Sequence, residues 1–325
     1  MRYFVKTTFG NGNVEALNIC KNLESLQPEQ GEDFVFDFSK YGENNPFSNI
    51  VLANSISLFH DNHSDIDMYF HPKDGTDGYL SHIGFYQACG IKYGKELGEA
   101  RASSNYVPIS AINLKGYDFY DAIVDMAQKL ARTLQFDRSL QDFLTYIFTE
   151  TIRNSFEHAD VERVLVAAQK WPQHNLVEIA IGDSGIGIQQ SLGKKFAMPE
   201  KELLRFSCKP GVSAGSNFYL DPNDPWRNSG YGLYTMKELA LAYKGSFMIC
   251  SGNYAFGYYN FHNYIERIFK TSYQGTAISL RFPINAVRNF DRIREEIVEK
   301  GQSEAQSIKG AIKTASKSSG GRYHL

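Results

Sequence analysis

The 325-residue sequence predicts a protein of the α/β (α+β) class that is built from two domains. Runs rich in aromatic and β-branched residues alternate with segments of helical periodicity, the pattern of sheets packed against helices. A composition of 42% hydrophobic and 22% charged residues is typical of an ordinary globular chain. We place the domains at 1–112 and 113–286, and a charged helix with a flexible basic tail at 287–325.

The first domain is predicted from two strand–helix units. The strands are FVFDF at 34–38 and IDMYF at 66–70, and helices follow them at 47–59 and 79–90. The polar stretch at 91–112 is predicted to be a linker.

The second domain is predicted to open with two helices and to continue with strands around a long irregular segment at 189–229. In the last part, a short charged helix precedes a tail that starts at Gly301. The predicted helices are 117–133, 138–159, 232–244 and 290–300, and the predicted strands are 161–169, 176–182, 246–251 and 275–283.

Charge and cysteine usage exclude several classes of protein. A formal net charge of −2 gives no general indication of nucleic acid or an anionic membrane as partner. The four cysteines are scattered without a C-x-x-C pair, which argues against zinc ribbons and disulfide frameworks. The first residues lack the apolar core of a signal peptide, and no apolar run approaches the roughly 20 residues that cross a bilayer. We therefore expect a cytoplasmic protein that does not enter the membrane.

Three polar residues are spaced four apart on the helix predicted at 138–159. Glu150, Asn154 and His158 form a slowly drifting stripe beside and partly within the apolar face. Burying a carboxylate, an amide and an imidazole there is costly unless a ligand satisfies them. The stripe is therefore a candidate binding surface.

A D-x-G-x-G turn follows the strand at 176–182. The Asp183 carboxylate can accept a hydrogen bond from an exocyclic amino group such as that of adenine, and Thr276 could support it. Gly185 and Gly187 let the backbone approach a planar base without Cβ collisions.

A second glycine motif opens the helix at 232–244. Gly230, Gly232 and Leu233 stand at its start, where backbone N–H groups and the helix dipole favour phosphate oxygens.

In this order, E-x3-N-x3-H, D-x-G-x-G, G-x-G-L and G-T resemble the motifs of the GHKL (Bergerat-type) ATPases, over about residues 115–285. The resemblance implies a two-layer sandwich, with a mixed sheet and helices on one face, that binds ATP and Mg²⁺. The first motif is especially similar to that of anti-sigma-factor serine kinases.

The resemblance also implies roles for single residues. Asn154 would coordinate Mg²⁺, and Asp183 with Thr276 would read the adenine amino group. Glu150 matches the general base, while His158 matches a recurrent position without an agreed role. The remaining matches are Gly185 and Gly187 beside the base, Gly230, Gly232 and Leu233 at the phosphates, and Lys209, in the segment that resembles the ATP lid, as a candidate phosphate sensor.

The first third of the chain resembles a STAS-like domain, in which a phosphorylatable serine or threonine follows a strand. Ser39 and Ser48 are the nearest candidates for that serine.

From these features we expect an ATPase that acts as a nucleotide-dependent switch on a protein partner. A serine/threonine protein kinase of the anti-sigma-factor type and an ATP sensor without turnover are the alternatives. A second copy of the chain is one candidate partner. The basic tail leaves nucleic acid open as a partner, although the net charge argues against it.

Overall fold

A computed structural model describes most of the chain. It covers residues 1–8, 10, 12–29, 31, 33–42, 44–76, 78–97, 99, 101, 103–113, 119–158, 163–214, 229–260 and 264–316, with only the backbone of 119–123, 126 and 156–158. Over these ranges the protein is of mixed α+β architecture, with one parallel and one antiparallel sheet.

The first unit is a three-stranded parallel sheet in the order β1-β2-β3 with four helices. Its elements are β1 (Arg2–Phe4), α1 (Gly12–Ser25), β2 (Phe34–Asp37), α2 (Pro46–Asn62), β3 (Met68–His71), α3 (Tyr79–His82) and α4 (Phe85–Ala88).

The second unit is a five-stranded sheet in the order β4-β5-β6-β8-β7. Its elements are β4 (Tyr106–Ile112), α5 (Phe119–Thr133), α6 (Arg138–His158), β5 (Val164–Trp171), β6 (Leu176–Asp183), α7 (Gly187–Leu192), α8 (Glu200–Ser207), α9 (Gly232–Ala242), β7 (Ser246–Tyr259), β8 (Ile265–Pro283) and α10 (Phe290–Ala305).

Local chemistry explains where α2 begins and why the helix predicted at 79–90 is divided. Asn45 and Ser48 form a reciprocal capping box at the start of α2, and Pro46 occupies the first turn. Gly84 adopts a φ of +78°, a left-handed conformation that separates α3 from α4.

Helix α2 lies between the two sheets. On one side its Phe59 ring meets the rings of Phe34 and Phe36, with centroids 5.2 and 5.6 Å apart. On the other side Ile50 packs against Gly182 of β6. Almost every residue in its first half is buried, as expected for a helix with packed surroundings on all sides.

Alternating residues of the antiparallel sheet serve two cores. Val166 and Ile179 face α5, α6 and α9, whereas Ala167 and Ala180 of the same strands face the first unit. The small residues on that second face allow α2 to approach the sheet closely. The first unit therefore covers the sheet face opposite the helices of the second unit.

A buried carboxylate links α2 to the sheet. Glu178 of β6 is fully buried, and its Oε2 accepts from Arg281 Nε at 2.8 Å. Its Oε1 accepts from the backbone N–H of Phe47, in the first turn of α2, at 3.2 Å. A carboxylate at a helix N-terminus is favourable, so Glu178 attaches α2 to the sheet.

Several expectations about the architecture are wrong. The predicted mixed sheet is antiparallel at each described pairing, and helices of the first unit cover the face opposite the helices of the second unit. The predicted linker at 91–112 contains β4, so the boundary placed at residue 112 falls at the end of an edge strand of the second sheet. The irregular segment predicted at 189–229 includes α7 and α8.

The C-terminal segment also differs from expectation as far as it is described. Helix α10 continues past Gly301 to Ala305, and the following residues pack on the protein. The Ile312 N–H donates to the Gly211 carbonyl at 2.8 Å, so the segment up to residue 316 is not a free tail. Lys317 and Arg322, two basic residues of the predicted tail, lie outside the described residues.

No helix in the described ranges is long and apolar enough to cross a bilayer.

Candidate functional site

A cleft opens between α6, the start of α9, the helices α7 and α8, and the adjoining ends of β6 and β8. Apolar and small polar side chains form most of its wall. The described residues that line it are Thr151, Asn154, Ser155, Ile181, Asp183, Gly187, Ile188, Ser191, Leu192, Ser207, Val212, Ser213, Ala214, Gly230, Gly232, Leu233, Thr276 and Ile278. Seven of the predicted site residues are thereby brought together: Asn154, Asp183, Gly187, Gly230, Gly232, Leu233 and Thr276.

Asp183 lies at the end of β6 and is only 2% exposed. Its Oδ1 accepts from the backbone N–H of Gly185 at 3.0 Å and of Thr276 at 3.1 Å. Burial raises its pKa to about 6, although these two donors and the Ser155 hydroxyl favour the charged form. The site therefore holds a carboxylate in surroundings that penalise its charge.

Helix α6 presents Asn154 to the cleft one turn beyond Glu150. Asn154 is half-buried and lines the cleft, whereas Glu150 is 1% exposed and lies behind it. The Arg153 Nη2 donates to Glu150 Oε2 at 2.6 Å, and Arg153 is equally buried. The third predicted member of the stripe, His158, has its side chain outside the described part of the structure.

The missing side chain of Gly232 makes room beside both polar residues. A Cβ at this position would lie 2.7 Å from Glu150 Oε2 and 3.3 Å from Asn154 Nδ2. Asn154 and Glu150 are therefore next to the start of α9, and only glycine leaves the space between them open.

The start of α9 faces the cleft through Gly232 and Leu233. Tyr231 occupies the N-cap position, but its hydroxyl donates to the Ile312 carbonyl at 3.2 Å rather than to the first turn of the helix. The first N–H groups of a helix have no acceptor within the helix, so this end of the cleft favours an anion.

Besides Glu150, two other predicted residues lie outside the cleft wall. Gly185 does not appear in the cleft wall, and instead donates its N–H to Asp183. Lys209 is half exposed, and its Nζ lies 2.8 Å from Glu304 Oε1 of α10. The structure therefore does not bring Lys209 to the cleft. A different lysine of the same segment is nearer, because Lys195 Nζ donates to the carbonyl of Ser213, a residue of the cleft wall, at 2.9 Å.

Three residues that matter to the site were missed from the sequence. Ser155 hydrogen-bonds the Asp183 side chain, Arg153 pairs with Glu150, and Tyr273 donates its hydroxyl to the Asp183 carbonyl at 2.9 Å. Arg153 lies three residues after Glu150 on the same helix, so helical spacing could have suggested that pair. No local pattern indicates Tyr273.

In the first unit, the two candidate phosphoacceptors differ in accessibility. Ser48 is fully buried in the capping box of α2, so its hydroxyl is not accessible for phosphorylation. Ser39 is exposed and follows β2, where its N–H donates to Asp37 Oδ1 at 2.9 Å.

Comparison with known proteins adds no relative: the sequence matches no protein-family model and no curated protein.

Proposed function

We propose that the chain binds ATP with Mg²⁺ in this cleft, in the manner of the GHKL ATPases that its motifs resemble, and that the nucleotide acts as a switch on a protein partner. The observation that carries the proposal is the convergence of Asn154 and Asp183. One stands on a helix and the other at a strand end, yet both face the same cleft.

The Asp183 end of the cleft suits an adenine base. Ile181, Ile188 and Ile278 supply apolar wall beside the carboxylate. A buried carboxylate with a raised pKa is stabilised by a donor that arrives with a ligand, such as an exocyclic amino group. The Thr276 N–H orients the carboxylate for that contact.

The Asn154 end of the cleft suits phosphates and a metal ion. The start of α9 attracts anionic oxygens, and Gly232 leaves space for them beside Asn154. The Asn154 side-chain oxygen is a ligand that Mg²⁺ accepts, and Mg²⁺ commonly binds through few protein ligands together with substrate phosphates. When bound, the ion would neutralise phosphate charge and hold the phosphates against α9.

Glu150 is the residue that decides between hydrolysis and simple sensing. Its Oε2 is held by Arg153, so a general-base role requires this ion pair to rearrange. We therefore expect slow hydrolysis. The same ion pair favours, as a second candidate function, an ATP sensor without turnover.

The switch would act through the segment after α8. The Gly211 N–H donates to the Gly230 carbonyl at 3.1 Å, and the Gly211 carbonyl accepts from Ile312. A nucleotide that contacts Gly230 would therefore act on a segment joined to the C-terminal residues. This gives phosphate binding a route to the protein surface where a partner would bind.

The experiment is calorimetric titration of the purified chain with ATP in the presence of Mg²⁺ or of EDTA, followed by incubation with γ-labelled ATP. We expect saturable binding of one nucleotide that weakens without Mg²⁺ and is lost in Asn154→Ala. Slow release of free phosphate supports an ATPase, and label on protein supports a kinase. ATP binding without either product supports a sensor. Absence of ATP binding by the folded wild-type chain would refute the proposal.

A further inference from the structure

A buried chain of hydrogen bonds runs from the first unit to the base-reading end of the cleft. The Asn54 Nδ2 of α2 donates to the Tyr273 hydroxyl at 2.8 Å, and that hydroxyl donates to the Asp183 carbonyl at 2.9 Å. Tyr273 is 1% exposed and Asn54 is 4% exposed. Both hydrogen bonds lie where water has little access. Loss of either bond would therefore leave a buried polar group without its partner.

The residues around Tyr273 contact Asp183 and the next residue at three points. Tyr273 binds its carbonyl, the Thr276 N–H binds its carboxylate, and the Gln274 Nε2 binds the carbonyl of the next residue, Ser184, at 3.1 Å. Gly275 adopts a φ of +97°, and a Cβ there would collide with the Asp183 carbonyl. This stretch of β8 therefore fixes both the backbone and the side chain of Asp183.

Helix α2 packs directly behind the same point. Ile50 lies one turn before Asn54, and a Cβ added to Gly182 would lie 2.6 Å from Ile50 Cγ2 and 3.0 Å from the Tyr273 hydroxyl. The residue before Asp183 is thus clamped between α2 and β8. A movement of α2 on the sheet would shift the Tyr273 hydroxyl, the Asp183 carbonyl, or both.

We propose that Asn54 and Tyr273 are positioning residues for base recognition, and that the first unit thereby controls the affinity and base preference of the nucleotide site. This inference rests on the proposed function of the cleft. The first unit would then be a regulatory module in the same chain. A partner or ligand that displaces α2 would change the position of Asp183 relative to the base. Since coupling is reciprocal, nucleotide binding must also stabilise α2.

The test compares ATP with inosine triphosphate, which carries a 6-oxo group in place of the 6-amino group of adenine. Tyr273→Phe removes one hydroxyl and keeps the ring. We expect it to weaken ATP binding by about five- to tenfold and inosine triphosphate binding much less, so that the preference for ATP falls. Asn54→Ser should shift the preference in the same direction, and the double variant should add little to Tyr273→Phe.

The matched control is Tyr258→Phe, which alters a tyrosine of the neighbouring strand β7 that is 2% exposed and belongs to the core on the other face of the sheet. It should keep the wild-type preference for ATP. Hydrogen exchange supplies the reciprocal readout: ATP should slow exchange in α2 of the wild type and do so less in Tyr273→Phe.

The outcomes separate this inference from the proposed function. If Tyr273→Phe leaves the ratio of the two affinities unchanged, even with an equal loss of affinity for both nucleotides, the positioning role is overturned. The proposal that the cleft binds ATP would stand. If Tyr273→Phe fails to fold, Asn54→Ser decides by the same ratio. A wild-type chain that binds ATP and inosine triphosphate equally would overturn base reading by Asp183 and with it this inference, while a chain that binds neither would refute the proposed function itself.

Discussion

Asp183 gives a prediction that can be tested without any ligand, because the property that suits it to a ligand should destabilise the empty protein. Burial raises its pKa from 3.8 to about 6. At about 1.36 kcal/mol per pKa unit, the ionised form costs the folded state about 3 kcal/mol above that pH. Replacing Asp183 with Asn should remove this cost, since the amide is neutral, has the same shape and keeps an oxygen for the N–H groups of Gly185 and Thr276.

The sign of the pH dependence follows from the direction of the shift. Because the pKa of Asp183 is higher in the folded than in the unfolded protein, protonation of Asp183 stabilises the folded state. This contribution to the free energy of unfolding is fully present below about pH 4 and is lost as the pH rises through about 6. The advantage of Asp183→Asn in free energy of unfolding should therefore be small near pH 4 and grow to an upper limit of about 3 kcal/mol by about pH 7.5.

Urea denaturation followed by circular dichroism at several pH values measures this difference. The same variant should lose ATP binding in calorimetry, because its amide NH₂ presents a donor where the adenine amino group needs an acceptor. A difference that stays flat with pH, or a variant less stable than wild type at neutral pH, would show that Asp183 does not carry a buried charge. A variant that binds ATP as tightly as wild type would refute the proposed role of Asp183 in reading the base.

Three further expectations concern the cleft and the contact between the units. Gly232→Ala should weaken ATP binding by about tenfold or more, because its Cβ would lie 2.7 Å from Glu150 Oε2, whereas Gly75→Ala, with open space around it, should bind as wild type does. Glu150→Gln should keep ATP binding in calorimetry but stop release of labelled phosphate, and unchanged release would leave Glu150 a structural acid paired with Arg153. Glu178→Ala should lower the free energy of unfolding in urea by about 1–3 kcal/mol, because it removes the buried acceptor that the partly exposed Arg281 and the Phe47 N–H share. A loss below about 0.5 kcal/mol would mean that this carboxylate does not stabilise the contact between α2 and the sheet.

The local parts of the site could be predicted from the sequence because spacing alone determines them. Residues four apart share a helix face, so Glu150 and Asn154 had to lie one turn apart on α6. Glycines after a strand and before a helix indicated the turns at Gly187 and Gly232, and both line the cleft. Whether the cleft binds ATP stays a prediction.

The features that the sequence did not predict depend on contacts between distant parts of the chain. Lys209 is paired with Glu304, and Tyr273 reaches Asp183 from another strand; neither relation leaves a periodic signal. The packing of α2 on the sheet could not be predicted either. Small residues such as Ala180 and Gly182 do not by themselves indicate that a helix packs on that face. Strand β4 was assigned to a linker because seven residues containing Pro108 give a weak strand pattern.

The most direct measurement is a crystal structure of the chain with Mg²⁺ and a non-hydrolysable ATP analogue. We expect one nucleotide in the cleft, with the adenine amino group within hydrogen-bond distance of the Asp183 carboxylate and a metal ion between the phosphates and the Asn154 oxygen. A nucleotide bound at another surface, or one in the cleft that touches only one of these two side chains, would contradict this expectation.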